Sequence, residues 1–438
     1  MTLNFDVAVT GKGSLDVLKV GESYKVWGPY GMAINNNPAS KNFGQVLLAE
    51  SYPEEIADTY ISYDKPGAIY AFDPDFQQIN AADGTPGFYG GLPIKEEIGD
   101  NAPLAIASYY QFDLKDLRFT ADNRLFVARA SGKSNSSVYE INPDDLDEAW
   151  KPLFTGGELD EQTGITYVGD EEQNRMALSL AFEGKGEDLK MYVLGAQRSN
   201  GEYNFTDYNC SIYNLGTATE WTTAPSANFE PLDGVYTKSP VDVGIHEDGQ
   251  GGLWYIQRRS DASAEIPAIK HFDAEGKEDY SNTSSTAVGD RIAVTTDGVY
   301  LAIPTENGKI VLYETNYVPM QNGKIWLEPK LTIGVGESRI TAMAFDYAGN
   351  LYVASASTET FSRYTIPYEN KLVVTPGNGI GNGVQGDING DGQVNVADAQ
   401  KVLILMADGE YNALADVNGD GQLNVADAQK VLIIMADQ

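Results

Sequence analysis

Cysteine and histidine are almost missing: Cys210 stands alone among 438 residues, and His246 and His271 are the only two imidazoles. A single cysteine excludes an intrachain disulfide. With no histidine or basic group beside it in the sequence to lower its pKa, Cys210 is expected to be a buried small hydrophobe rather than a nucleophile. Basic residues are scarce too, 30 Lys and Arg against 63 Asp and Glu, for a formal net charge of −33. Nucleic acid and anionic membrane surfaces select Lys/Arg patches, so neither is an expected partner. Such an excess instead keeps soluble molecules apart by like charge. No apolar run reaches the roughly eighteen residues a spanning helix needs, which excludes a membrane span of that kind. The start, Met1 to Asp6, has neither a basic segment nor an apolar run, so an exported chain would have had its signal peptide removed.

Familiar catalytic devices are absent as well. There is no Gly-x-Ser-x-Gly elbow, no His-Glu-x-x-His pair and no phosphate-cradling Gly-x-x-x-x-Gly-Lys-Ser/Thr. His246-Glu247-Asp248 places an imidazole beside carboxylates, as a general base requires, but it runs into Gly249-Gln-Gly-Gly252 and reads better as a polar β-turn. His271 precedes Phe272 in a strand pattern and is expected to be structural. No catalytic and no organic cofactor-binding residue is assigned.

What the sequence does hold is repetition. With 45 Gly and 26 Tyr, the chain before residue 386 alternates short apolar runs with Gly, Asn and Asp turns, and helical periodicity is rare. One template recurs: an apolar strand, a polar turn, a strand ending in a small residue, then a third strand with a central tyrosine. The clearest copy runs from Ile340 to Ser355 with Ser362 to Ile366. Others start at Leu117, Ile292, Leu178, Val241 and Met32. Units of three or four strands at intervals of roughly fifty residues suit the blades of a β-propeller. The fold class is therefore mainly β, a six-bladed propeller over residues 1–375, or seven-bladed if the stretch 75–110 hides one more. Closure would bring Asn4 to Val9 beside Lys371 to Val374. A twin β-sandwich is the rival, but it does not explain a template repeated six times. The turn Asp346 to Val353 resembles NHL-type propeller repeats.

After a Gly/Asn-rich linker at 376–385, residues 386–438 repeat one string twice. Each copy is a twelve-residue acidic loop that runs into a helix. Oxygen-bearing residues at loop positions 1, 3, 5, 9 and 12, with glycine at 6, are what a hard cation with six to eight oxygen contacts needs. The first set is Asp387, Asn389, Asp391, Asn395 and Asp398 with Gly392; the second is Asp416, Asn418, Asp420, Asn424 and Asp427 with Gly421. Position 7, Gln393 or Gln422, contributes its backbone carbonyl. Two Ca2+ ions are expected. After each loop, Ala399, Val402, Leu403 and Met406, or Ala428, Val431, Leu432 and Met435, follow helical spacing and should pack the two helices together. Ile404, Leu405, Ile433 and Ile434 are left over, more apolar surface than a free module of this size needs.

A tandem of loop-then-helix units closed by Asp at position 12 resembles the dockerin family of calcium-dependent modules. That resemblance implies an all-α fold, a calcium role for the ligands just named, and a cohesin-like partner. Positions 10 and 11, where many dockerins carry Ser or Thr as recognition residues, are Val396-Ala397 and Val425-Ala426 here. It also implies an extracytoplasmic bacterial protein, secreted, periplasmic or surface-attached, since millimolar calcium is available outside the cell. For the propeller, a glycan or protein ligand is expected. Aromatics such as Trp27 to Tyr30, Phe88-Tyr89 and Tyr109-Tyr110 would either stack on pyranose faces or pack blade on blade. The alternative is a dockerin-bearing glycoside hydrolase or polysaccharide lyase on the same scaffold.

Overall fold

A computed structural model describes residues 29–38, 40–50, 67–74, 77–85, 87–90, 114–129, 138–154, 158–160, 165–167, 177–196, 208–222, 226–229, 243–249, 251–257, 269–282, 291–295, 298–305, 309–316, 326–334, 340–355, 360–364, 388, 394–408, 415, 417 and 423–436. Six antiparallel sheets of three or more strands follow one another in chain order, with consecutive strands paired in each, and a separate two-stranded ladder, Glu158–Asp160 with Ile165–Tyr167, falls between the second and third in the chain. Blade 1 comprises Pro29–Ile34, Val46–Glu50, Ala68–Phe72 and Gln78–Ile79, with Gly87–Phe88 also paired to its third strand. Blade 2 comprises Leu114–Phe119, Leu125–Arg129, Val138–Ile141 and Lys151–Pro152. Blade 3 has Ala177–Glu183, Lys190–Ala196, Tyr208–Asn214 and Ala227–Phe229, and blade 4 has Val243–Glu247, Leu253–Gln257, Ile269–Phe272 and Glu278–Asn282. Blade 5 is Ala293–Val294, Tyr300–Thr305, Lys309–Asn316 and Trp326–Gly334; blade 6 is Ile340–Phe345, Leu351–Ser355 and Thr360–Tyr364.

The first strand of each blade contacts the first strands of the two neighbouring blades, and that of blade 6 contacts that of blade 1, so the ring closes. This is a six-bladed propeller. Within 75–110, the described pairing strands belong to blade 1 rather than to a seventh blade. The expected closing strands Asn4 to Val9 and Lys371 to Val374, and the linker at 376–385, lie outside the described residues.

Packing explains why the middle strands read as unbroken apolar runs. A blade is covered on both faces by its neighbours, so Val46–Glu50 and Leu125–Arg129 are buried at every position. The core is accordingly divided into wedges between successive blades. Leu47, Ile69, Leu117 and Val127 fill the seam of blades 1 and 2. Met32, Tyr70, Phe72, Tyr352 and Phe361 fill the seam of blades 1 and 6.

Turns follow from the same repeat. At Thr120, Asp273 and Asp346 the first turn residue accepts the N–H four positions on with its own side-chain oxygen. The fourth position then takes φ near +70°, which glycine supplies at Gly276 and Gly349 and asparagine at Asn123.

Adjacent inner strands come very close at Gly31, where a Cβ would lie 2.7 Å from the backbone carbon of Asp116 and the nitrogen of Leu117. Substituting Gly31→Ala is expected to cost about 1–3 kcal/mol by forcing two inner strands apart. A denaturant titration checks this, and an unchanged midpoint would contradict the close approach.

Candidate docking surface and propeller axis

The tail holds two helices, α1 (Val396–Asp408) and α2 (Val425–Ala436). Both begin the same way. Asn395 Oδ1 accepts the Ala397 N–H at 2.8 Å, while Asp398 Oδ2 accepts the Asn395 N–H at 2.8 Å. In the second copy Asn424 Oδ1 takes the Ala426 N–H at 2.8 Å and Asp427 Oδ2 takes the Asn424 N–H at 2.9 Å. These are reciprocal caps, each satisfying two donors that a helix start would leave open. Asp398 Oδ1 also accepts the Ile388 N–H at 2.8 Å, tying the front of the loop to the helix that closes it. The aspartates at position 12 are fully buried. A carboxylate one methylene shorter than glutamate fits because it sits within the first turn of its own helix. The other expected ligands, Asp387, Asn389, Asp391, Gln393, Asp416, Asn418, Asp420 and Gln422, lie outside the described residues.

Between the helices, Ala399, Val402 and Leu405 pack with Ala428 and Val431, joined by Val394, Ala415 and Val417 and flanked by Ile434 and Met435. The expected stripe is therefore corrected at one member in each helix. Leu405 and Ile434 face the partner helix, whereas Leu403 and Leu432 do not. The spacing Ala399, Val402, Leu405 follows the seam at which the helices cross, and Leu403 lies about 100° further round the helix. Solvent reaches Leu403 (40% exposed), Ile404 (53%), Leu432 (39%) and Ile433 (54%), with Val396 and Val425 above them. Each helix thus shows the same apolar stripe.

At the propeller's centre, the inner strands of four blades are irregular near their starts. Pairing skips from Pro29 to Gly31, Leu114 to Asp116, Ala177 to Ser179 and Ile340 to Ala342, which bulges out Tyr30, Lys115, Leu178 and Thr341. A bulge turns the backbone out of the ladder. Arg291, two residues ahead of the inner strand of blade 5, collects the freed carbonyls. Its Nε donates to Tyr30 O at 3.1 Å, one Nη to Val243 O at 2.6 Å, and the other to Lys115 O and Leu178 O at 2.5 and 3.1 Å. Next along the strands, Asp116 Oδ2 accepts Ser179 Oγ–H at 2.6 Å and the Leu180 N–H at 2.9 Å, and Arg118 reaches Ile245 O at 3.2 Å. Arg118 also pairs with Asp116 at 3.3 Å. These groups bind blades 2, 3 and 4 to one another, and Asp116 is engaged from several sides.

The two histidines differ. His246 is buried, with Nδ1 2.8 Å from Glu247 O; burial holds its pKa below the ordinary value, against the pull of Glu247. His271 lies between Asp248 (Nε2 to Oδ2, 3.0 Å) and Asp279 (Nδ1 to Oδ1, 2.6 Å). With a carboxylate at each nitrogen, both nitrogens act as donors. Burial alone would depress its pKa, but the two carboxylates outweigh it and raise it. Of the turn expected at His246-Glu247-Asp248, only Asp248 lies in the turn, its Oδ1 accepting the Gly252 N–H at 2.8 Å, while His246 and Glu247 end the first strand of blade 4, paired with Trp254 and Leu253. Cys210 is fully buried, and burial pushes its thiol pKa up, as befits a core residue.

Among the described residues, the candidate aromatics follow the packing alternative. Tyr30 is buried with the Lys115 amine 4.4 Å over its ring, Phe88 belongs to the seam of blades 1 and 2, and Tyr89 packs on the seam of blades 1 and 6. Their strands lie at blade boundaries, where rings fill wedges. Trp27, Tyr109 and Tyr110 lie outside the described residues. Arg291, Asp116, Arg118 and Ser179 were not singled out from the sequence. A lone arginine before an apolar strand and a serine within one carry no pattern, and what unites them is backbone direction.

Residues 385–432 match the family described as Dockerin type I domain. The match covers the tail alone, and dockerin type I domains bind calcium and dock to cohesin-type partners. No curated protein matches the chain. Among solved structures the chain is similar to a structural genomics protein of unknown function from Bacteroides thetaiotaomicron VPI-5482, at 12% identity and a TM-score of 0.41, over 83% of this chain and 75% of that one.

The histidine clamp gives a pH signature. A folded pKa raised above the ordinary value of about 6.5 stabilises fully below that value, and the contribution fades as pH rises through the folded pKa. Substituting His271→Gln is expected to cost about 1.5–3 kcal/mol at pH 6, and less at progressively higher pH. Melting curves across pH check this; a deficit that grows with pH would contradict the clamp.

Proposed function

We propose that this chain is a secreted or cell-surface bacterial protein in which a rigid ligand-binding propeller is carried by a calcium-dependent docking module. The observation that carries this reading is the pair of identical apolar stripes, Val396, Leu403 and Ile404 on α1 and Val425, Leu432 and Ile433 on α2, exposed on a module that matches dockerin type I. Surface of that kind on a small domain calls for a partner. The partner is a cohesin-type receptor with an apolar recognition surface, because positions 10 and 11 offer Val-Ala in place of hydroxyl groups.

Calcium sets the geometry. Two ions would bind, one in each loop, with Asp387, Asn389, Asp391, Asn395 and Asp398 as one ligand set and Asp416, Asn418, Asp420, Asn424 and Asp427 as the other, and with the carbonyls of Gln393 and Gln422 at position 7. The reciprocal caps place positions 9 and 12 together at the first turn of each helix, where both side chains border the loop. Extracellular calcium suits such sites. No helix among the described residues is long and apolar enough to cross a membrane.

The propeller supplies a ligand surface for a glycan or a protein rather than a catalytic centre. Support comes from the axis, where the Asp116 carboxylate is taken up in contacts that join blades, with Ser179, the Leu180 N–H and Arg118. The alternative, a carbohydrate-active hydrolase or lyase, would place its carboxylates elsewhere. Product analysis by mass spectrometry after incubation with polysaccharides separates the two, and chain cleavage would overturn the binding reading.

Docking has a sharper test. Because the two helices show the same stripe, Leu403→Asp with Ile404→Asp on α1 alone is expected to lower cohesin affinity only about twofold, the statistical loss of one of two equivalent faces. Adding Leu432→Asp and Ile433→Asp is expected to weaken binding more than about a hundredfold, as loss of an interface centre does. Calorimetry with a cohesin panel, with calcium and with chelator, reads both effects. Binding that survives chelator or the fourfold variant would refute the docking surface.

A further inference from the structure

We propose that the propeller axis contains a monocation site built from backbone carbonyls, which the chain fills with its own Arg291 guanidinium. Four oxygens from four blades, those of Tyr30, Lys115, Leu178 and Val243, converge on one planar cation at 2.5–3.1 Å. The carbonyls of Tyr30, Lys115 and Leu178 are freed by bulges at the same place in three inner strands, so the convergence is a repeated feature of the blades. Carbonyl dipoles aimed at one point form a cation site whatever occupies it.

The occupant's chemistry follows from geometry. A calcium ion takes six to eight oxygens at about 2.3–2.6 Å, usually with carboxylates among them. Here the four oxygens lie farther out and carry no formal charge, and they match the planar fork of a guanidinium, whose N–H groups point outward in fixed directions. The cradle therefore selects guanidinium-class monocations over divalent metals. Arg291 is 3% exposed and fills the cradle with its own side chain, so it acts as a tethered ligand. Since the oxygens belong to backbone held by the blade-to-blade wedges, the cradle persists when the side chain is removed. Emptied, it should accept an external guanidinium.

The test is chemical rescue in the full-length chain. Arg291→Ala is expected to melt at least ~5 °C below the natural protein, since a shift of that size corresponds to losing a buried hydrogen-bonded cation. Millimolar methylguanidinium should recover part of that loss in a saturable way, as a ligand that binds only the folded state does. Tetramethylammonium at the same concentration should recover none of it, and the natural protein should gain nothing from either salt. Equal melting of variant and natural protein would overturn the proposal, and so would equal responses of both to methylguanidinium. Should Arg291→Ala fail to fold, the natural protein still decides the matter. The Arg291 side-chain N–H signals should resist solvent exchange in 15N NMR at alkaline pH, and exchange as fast as that of surface arginines would overturn the proposal.

Discussion

One guanidinium bonded to four blades ties the propeller together at its axis. Arg291 joins backbone positions up to 261 residues apart, from Tyr30 to Arg291 itself. None of these bonds can form until blades 1 to 5 have been arranged around a common axis. Ordering so long a chain costs entropy that local contacts cannot offset one blade at a time, and non-local pairings of this kind slow folding. The arginine therefore rewards the closed ring rather than any single blade. Beside it, Asp116, Arg118 and Ser179 repeat the logic with side chains, linking blades 2, 3 and 4.

Outward from the axis the physics changes from polar convergence to apolar wedges. Each seam between blades is filled by residues of two sheets, and bulky rings such as Tyr70, Phe72 and Phe361 widen the wedge toward the rim. Aromatic residues that might have served as sugar platforms, Tyr30 and Phe88 among them, are used for this packing. The docking module solves a smaller problem by other means. Its core is a seam of two helices, too little to hold a module of this size by apolar burial alone. Acidic loops close on their helices through Asp398 and Asp427, and calcium would supply what the core lacks.

Much of this was legible in the sequence. All six blades were found because a strand, a polar turn and a small-residue strand recur, and turn chemistry such as Asp346 to Asn350 is written in side chains. The two helices and their duplicated loops were legible for the same reason. Less so was the helix seam. Periodicity shows that α1 has an apolar side but does not say where the partner crosses, so spacing alone puts Leu403 in the seam and leaves Leu405 outside it. The axis was not legible at all. Its cradle is made of carbonyl oxygens, which every residue possesses, and a bulge at Tyr30 or Lys115 depends on how two strands register rather than on residue type.

The chain divides into a propeller tied at its axis by Arg291 and a docking module that calcium would hold. Hydrogen exchange read by mass spectrometry on the intact protein, with calcium and after chelation, tests that division most directly. Amides of the inner strands Pro29–Ile34, Leu114–Phe119, Ala177–Glu183 and Val243–Glu247 should keep their protection without calcium, while those of Val396–Asp408 and Val425–Ala436 should lose it. Helices that stay protected without calcium, or inner strands that lose protection along with them, would contradict it.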